Sequence, residues 1–196
     1  WRSGDGAADL FAQRVSGSGA LLWTPDGVAV STAADAQEAP AIVSDGANGA
    51  IVVWQDRRDG ITYDVYAQRL DATGAALWAA DGIAVGSAAG NQWHPALVAD
   101  GAGGAIAVWQ DTRDGLGYQT WAQRVGPVGA LQWNPAGVLV CGASDEQGVP
   151  FATSDGAGGL VVAWTDARSF QQVAYALDGA EFVDLTEELV LGIAGE

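Results

Sequence analysis

The sequence has no lysine and no methionine, and it contains one cysteine and one histidine. A single cysteine excludes an intrachain disulfide framework, and with one histidine it excludes a zinc site built from four such ligands. Because residue 1 is not methionine, we expect that an export signal has been removed or that the chain belongs to a longer protein.

Positive charge is also scarce. All 8 basic residues are arginine, and 24 aspartate and glutamate residues oppose them, which gives a net charge of −16. Nucleic acids and anionic membranes require a basic surface on the protein, so the composition argues against both as partners. No apolar run approaches the ~18–20 residues of a membrane span, so we predict no transmembrane segment.

What the sequence does contain is a repeat of 55 residues. The markers that keep this interval are Trp54, Trp109 and Trp164; Pro40, Pro95 and Pro150; Asp45, Asp100 and Asp155; Trp23, Trp78 and Trp133; and Arg14, Arg69 and Arg124. We therefore divide one domain, residues 1–196, into a partial unit 1 (about 1–39), unit 2 (40–94), unit 3 (95–149) and a divergent unit 4 (150–196).

Each unit is predicted to hold four short strands. In unit 2 these are residues 40–44, 50–55, 64–70, and a fourth strand from about 75 through 85 that carries Trp78; a glycine- and asparagine-containing hairpin covers 45–49. Because no helical period is present, the fold class is all-β: β-propeller-like, with four-stranded antiparallel blades and about 3.5 repeats. The units would form a four-bladed ring whose first blade is incomplete or completed from the C-terminus, or an arc of a larger propeller.

The motifs W-Q-D-x-R-D-G (residues 54–60 and 109–115), Y/W-A-Q-R and G-A-L-x-W resemble propeller-like repeats of secreted or surface proteins in bacteria. The resemblance covers essentially the whole chain. It implies an extracytoplasmic β-propeller and implies no particular activity.

Residues that occur in every unit are interpreted as structural. We expect Trp54, Trp109 and Trp164 to fill the space between units. Asp45 and its counterparts should form turns, and Cys141 should be a buried thiol. Arg69 and Arg124 are predicted to be mostly buried and to contact carboxylates of the loop between the second and third strands, which holds Asp56 in unit 2 and Asp111 in unit 3.

Residues that break the repeat are the better candidates for function. Trp93 has Glu38 and Gly148 as counterparts, and His94 is the only histidine. In propellers the loops between blades share one face with the loops between the second and third strands. This face should therefore collect the candidate partner-binding residues: Trp93, His94, Tyr63, Tyr118, Glu38, Asp145 and Glu146.

The sequence has no Ser-His-Asp arrangement, phosphate loop or metal-ligand cluster, so we predict no catalytic residue, cofactor or metal site. The first hypothesis is a non-catalytic extracytoplasmic binding or scaffold protein, such as an accessory subunit of a larger complex, whose protein partner has a basic surface. The alternative is a carbohydrate-active propeller enzyme that uses Glu38 and Glu146 as an acid/base pair.

Overall fold

The computed structural model describes residues 8–115, 117–143 and 146–166, together with the backbone of two later strands, 173–178 and 181–184. This part of the chain contains fourteen β-strands and no helix. The strands are β1 (Leu10–Ala12), β2 (Val28–Ser31), β3 (Gln37–Ser44), β4 (Ala50–Asp56), β5 (Asp64–Leu70), β6 (Ile83–Gly86), β7 (Gln92–Ala99), β8 (Ala105–Asp111), β9 (Gln119–Val125), β10 (Val138–Cys141), β11 (Phe151–Ser154), β12 (Leu160–Trp164), β13 (Val173–Asp178) and β14 (Glu181–Asp184).

The strands form four antiparallel sheets, one for each unit. Strands β3 and β7 begin at Gln37 and Gln92, and Gln147 pairs with Asp166, so residues 37–39, 92–94 and 147–149 are counted from here on with the following unit. Strands β1 and β2 pair in unit 1, and each later unit is a meander of four consecutive strands: β3 to β6, β7 to β10, and β11 to β14. The prediction of an all-β chain with four antiparallel strands in units 2 to 4 is confirmed.

The first hairpin of units 2 and 3 follows the turn chemistry that the sequence predicts. In unit 2, Oδ1 of Asp45 accepts hydrogen bonds from the backbone N–H groups of Ala47 and Gly49, both at 2.8 Å. Asn48 adopts a φ of 64°, which asparagine tolerates better than most residues. Asp100 makes the same pair of bonds in unit 3.

The first strand of units 2 and 3 begins earlier than predicted and contains a bulge. The β3–β4 register shifts between Glu38 and Ala41, and the β7–β8 register shifts between Trp93 and Ala96. The bulges contain Ala39 and His94, whose φ values are 49° and 50°. Each precedes a proline, which cannot donate to the ladder, so the chain leaves regular pairing there.

The core lies between successive sheets. Trp54, Trp109 and Trp164 are 0%, 0% and 3% exposed, as predicted for residues that fill the space between units. Trp109 packs with Val53 and Val65 of the preceding unit as well as with its own sheet. Its indole N–H donates to Asp111 at 2.9 Å, as that of Trp54 does to Asp56 at 2.7 Å, so the buried ring leaves no donor unpaired.

The prediction that Trp78 lies on a long fourth strand is wrong. Strand β6 begins at Ile83, and Trp78 lies in the preceding turn. The side-chain amide of Gln68 takes the place of ladder bonds here, because it accepts from the Trp78 N–H at 3.0 Å and donates to the Ala79 carbonyl at 2.7 Å. Trp23 and Trp133 lie in equivalent turns.

The predicted partners of Arg69 and Arg124 are also wrong. Arg69 binds Asp45 of the first hairpin at 2.9 Å, and Arg124 binds Asp100 at the same distance; neither contacts Asp56 or Asp111. The side chain of Arg69 is 15% exposed and that of Arg124 is 32% exposed, so both are mostly buried, as predicted.

Asp56 and Asp111 bind a different pair of arginines. Asp56 binds Arg58 of its own loop, and Asp111 binds Arg113, both at 2.6 Å. The guanidinium of Arg58 also lies 3.6 Å from the centroid of the Tyr66 ring, so this pair ties the loop to β5. An ion pair therefore does connect the loop after β4 to the third strand of the unit, but its cation is Arg58 and not Arg69.

Successive units are joined by a recurring contact at one turn. In unit 2, Arg69 and the Trp78 indole both donate to the carbonyl of Pro127 in unit 3, at 2.9 and 3.1 Å. In unit 1, Arg14 and Trp23 make the same two bonds to the carbonyl of Ala72. The repeated arginine and turn tryptophan thus fix unit 1 on unit 2 and unit 2 on unit 3.

Candidate functional site

Three of the predicted site residues lie at the same end of units 2 and 3. Tyr63 directly precedes β5, Tyr118 directly precedes β9, and Trp93 is the second residue of β7. Two backbone hydrogen bonds fix the positions of these residues relative to one another. The Gln92 N–H donates to the Tyr63 carbonyl at 2.7 Å, and the Gln147 N–H donates to the Tyr118 carbonyl at 2.9 Å. The same contact therefore holds unit 3 on unit 2 and unit 4 on unit 3.

Trp93 contacts both tyrosines. Its ring centroid lies 6.4 Å from that of Tyr63 with the planes at 66°, and 5.6 Å from that of Tyr118 with the planes at 43°. All three side chains are partly exposed. We call Tyr63, Trp93 and Tyr118 the aromatic row. Because neighbouring rings are inclined to each other, the row is not one flat platform, and we call the two angles between adjacent rings its notches.

Glu38 lies at the Tyr63 end of the aromatic row. Its carboxylate accepts from the Tyr63 hydroxyl at 3.1 Å and from the side-chain amide of Gln55 at 3.3 Å. Burial and the Glu38 carboxylate both raise the pKa of the Tyr63 hydroxyl, so Tyr63 remains a neutral hydrogen-bond donor.

Glu146 lies at the other end. With Tyr118, Gln147 and Asp166 it borders an open cleft of about 490 Å³ between units 3 and 4. The neighbouring candidate, Asp145, lies outside the described residues. Glu38 therefore contacts the Tyr63 end of the row, and Glu146 lies in the cleft beside its Tyr118 end.

His94 follows Trp93 in the bulge and is exposed. One ring nitrogen lies 2.8 Å from the side-chain oxygen of Gln110, and the His94 backbone N–H donates to Gln55 of the preceding unit at 3.1 Å. The structure therefore places His94 beside the aromatic row, and its ring contacts an amide.

Sequence reasoning missed two charged residues near the row. The guanidinium of Arg57 lies 6.0 Å from the centroid of the Tyr63 ring. The counterpart of Arg57 in unit 3 is Thr112, so the sequence alone shows that Arg57 departs from the repeat. Asp64, the first residue of β5, has its pKa raised to about 6 by burial and by nearby carboxylates.

Comparison of the chain with protein-family models, curated proteins and solved structures finds no match. In the part of the chain that the structure describes, no helix is long and apolar enough to cross a membrane. Within the same residues, no group of three or more histidine, cysteine, aspartate or glutamate side chains is arranged to hold a metal ion.

Proposed function

We propose that this chain is a non-catalytic binding module of β-propeller-like architecture, and that its partner-binding surface is the aromatic row with Glu38 and Glu146. The observation that carries the proposal is the double contact of Trp93, which joins tyrosines of two units into one partly exposed surface. Tryptophan and tyrosine are enriched among the residues that dominate binding energy at protein interfaces.

The propeller part of the proposal is supported by the sheets and their contacts. Three successive four-stranded meanders have the same strand order, and the same tryptophan packs between each neighbouring pair of sheets. The arginine and tryptophan bonds to the next unit's turn recur as well. Blades packed face to face in this way bury both sides of sheets that could not be stable alone.

The partner we propose is a protein with a basic surface. The net charge of −16 and the carboxylates at both ends of the aromatic row would attract such a partner and make its association sensitive to salt. The acidic composition and the resemblance to bacterial secreted repeats favour an extracytoplasmic role, as a scaffold or an accessory subunit of a larger complex.

The carbohydrate-active alternative would require Glu38 and Glu146 to flank one glycosidic bond at ~5–9.5 Å. Glu38 binds the Tyr63 hydroxyl and Glu146 borders the cleft beside Tyr118, so the contacts of the described residues do not bring the two carboxylates together. Aromatic rings also stack on sugars, and an open cleft lies beside Tyr118. The experiment below therefore includes a test of oligosaccharide cleavage.

Selection of peptides from a random display library tests the proposed function. We expect the wild-type chain to enrich basic sequences that bind more weakly at high salt and that lose affinity when Trp93 is replaced by alanine. Selected peptides that bind Trp93→Ala as tightly as wild type would contradict the proposal. Cleavage of an oligosaccharide from a glycan panel, lost in both Glu38→Gln and Glu146→Gln, would establish the alternative instead.

A further inference from the structure

We propose that the aromatic row recognises arginine side chains on an extended segment of the partner. The inference rests on the proposed function, because it specifies the chemistry by which that surface would recognise a basic protein. The way in which this chain holds its own arginines supports it.

The chain repeatedly places a guanidinium on an aromatic ring beside a carboxylate. Arg58 lies 3.6 Å from the centroid of Tyr66 while it binds Asp56. In unit 3, Arg113 lies 3.7 Å from the centroid of Trp121 while it binds a carboxylate at 2.6 Å. The planar guanidinium suits this arrangement, because its face stacks on the ring while its edge donates to the carboxylate.

The aromatic row offers the same two groups at each end. Tyr63 bears Glu38 on its hydroxyl at 3.1 Å, and Tyr118 shares the border of the open cleft with Glu146. Trp93 lies between the two tyrosines and gives both notches an indole wall. A guanidinium from a partner could therefore occupy each notch with a ring beside it and a carboxylate in reach.

The length of the row fits an extended segment. Two ring contacts, of 6.4 and 5.6 Å, separate Tyr63 from Tyr118. A polyproline II segment rises ~3.1 Å per residue and turns once every three residues, so side chains at positions i and i+3 lie on one side and ~9 Å apart. Arginines separated by two residues are therefore spaced for the two tyrosines at the ends of the row, and their long side chains can converge on the notches between the rings.

Arg57 supplies an independent check on the electrostatics. Its guanidinium lies 6.0 Å from the Tyr63 ring and places a positive charge beside the notch at that end. Its hydrogen bonds to the protein go to backbone carbonyls of its own loop and of residue 36. Removal of this charge should therefore tighten the binding of an arginine ligand, a result that general damage to the protein would not produce.

The test uses a labelled peptide of three Arg-Pro-Pro repeats and two matched peptides in which every arginine is lysine or the neutral isostere citrulline. Fluorescence anisotropy measures binding at constant salt. We expect the arginine peptide to bind at least about fivefold more tightly than the lysine peptide, and the citrulline peptide to bind least. Trp93→Ala should weaken binding of the arginine peptide by roughly tenfold or more, Glu38→Gln by about fivefold, and Arg57→Ala should strengthen it.

The variants have internal controls. Units 2 and 4 carry Glu38 and Gly148 at the place of Trp93, so the repeat folds without an aromatic residue there. Phe11→Ala removes a ring that is 40% exposed on β1, outside the row, and should leave binding unchanged. Circular dichroism spectra and melting temperatures confirm that each variant is folded.

Equal affinity for the arginine and lysine peptides, with both lost in Trp93→Ala, would overturn the guanidinium inference and leave the proposed function in place. Binding that is unchanged in Trp93→Ala would overturn both. Failure of all three peptides to bind, while library-selected peptides still depend on Trp93, would overturn the inference alone.

Discussion

Replacement of Arg69 by alanine should destabilise the fold without affecting the aromatic row. Arg69 donates through Nε and Nη2 to one oxygen of Asp45, at 3.0 and 2.9 Å, and through Nη1 to the Pro127 carbonyl at 2.9 Å. The Asp45 side chain is 1% exposed. The variant therefore leaves a buried carboxylate without its cation and removes a bond between units 2 and 3.

The magnitude follows from these contacts. Breaking a buried ion pair from one side costs ~3–5 kcal/mol, and the lost carbonyl bond adds ~1 kcal/mol. Asp45 keeps two backbone N–H bonds, and water can reach the space that the arginine vacates, so we expect a net loss of about 2–4 kcal/mol in the free energy of unfolding. For a chain of this size that corresponds to a melting temperature lower by about 5–12 °C.

Chemical and thermal denaturation measure the effect, and pH identifies its source. Burial raises the pKa of Asp45, but its backbone N–H bonds and Arg69 outweigh burial and hold that pKa below the ordinary value. A carboxylate with a lowered folded-state pKa stabilises the fold above its unfolded pKa, and this contribution disappears as the pH falls through the folded pKa. The difference between Arg69→Ala and wild type should therefore be full at pH 7 and shrink below about pH 4.

The matched control is Arg57→Ala, which should cost less than about 0.5 kcal/mol, because among the described residues the Arg57 side chain makes one hydrogen bond, to the Gly60 carbonyl at 3.2 Å. If Arg69→Ala lowers the free energy of unfolding by less than about 1 kcal/mol, or by the same amount at pH 3 as at pH 7, the ion pair of Arg69 with Asp45 does not stabilise the fold as described.

Two further substitutions test the interior of the repeat. The pKa of Asp64 is raised to about 6, so ionisation of this carboxyl group destabilises the fold as the pH rises from about 4 to 6. Asp64→Asn should therefore stabilise the chain by about 1–2 kcal/mol at pH 8 and have no effect at pH 4. Equal effects at both pH values in thermal melts would contradict this. Unit 3 already carries the neutral Gln119 at this place. Gly82 has a φ of 86°, and an added Cβ would lie 2.5 Å from Cη2 of Trp54, so Gly82→Ala should lower the free energy of unfolding by more than about 2 kcal/mol. Its control is Gly46→Ala, at a φ of 76° with open space around it, which should lower the free energy of unfolding by about 1 kcal/mol. Equal losses in urea titrations would show that the tryptophan contact is unimportant.

Residues that keep the repeat could be predicted because equivalence in sequence becomes equivalence in position. Once Trp54 is placed between two sheets, the same place follows for Trp109. The face that Trp93 joins could be predicted for the same reason, since Tyr63 and Tyr118 are 55 residues apart and occupy loops that the repeat puts on one face. Their contact with Trp93 confirms that grouping.

The 55-residue spacing alone could not identify the carboxylate that binds Arg69, because Asp45 and Asp56 both recur at that spacing. The register of the sheet distinguishes them. Arg69 lies opposite Ile51, at the end of β4 that follows the hairpin of Asp45, whereas Asp56 lies opposite Asp64 at the other end.

The position of Trp78 escaped prediction for a different reason. Gln68 replaces backbone ladder bonds with side-chain bonds, and a strand pattern does not reveal such a substitution. The aromatic row was predicted as a face, but its ring angles and the place of Arg57 depend on the bulge before Pro95 and on the loop after β4.

Fluorine NMR of the chain labelled with 5-fluorotryptophan tests the central claim, that Trp93, which departs from the repeat, binds the partner while the buried tryptophans of the repeat support the fold. A Trp93→Phe variant assigns the Trp93 resonance, and a library-selected peptide is then added. We predict that the Trp93 resonance shifts with increasing peptide while those of the buried Trp54 and Trp109 stay in place. An unchanged Trp93 resonance in a sample that binds the peptide would contradict the account.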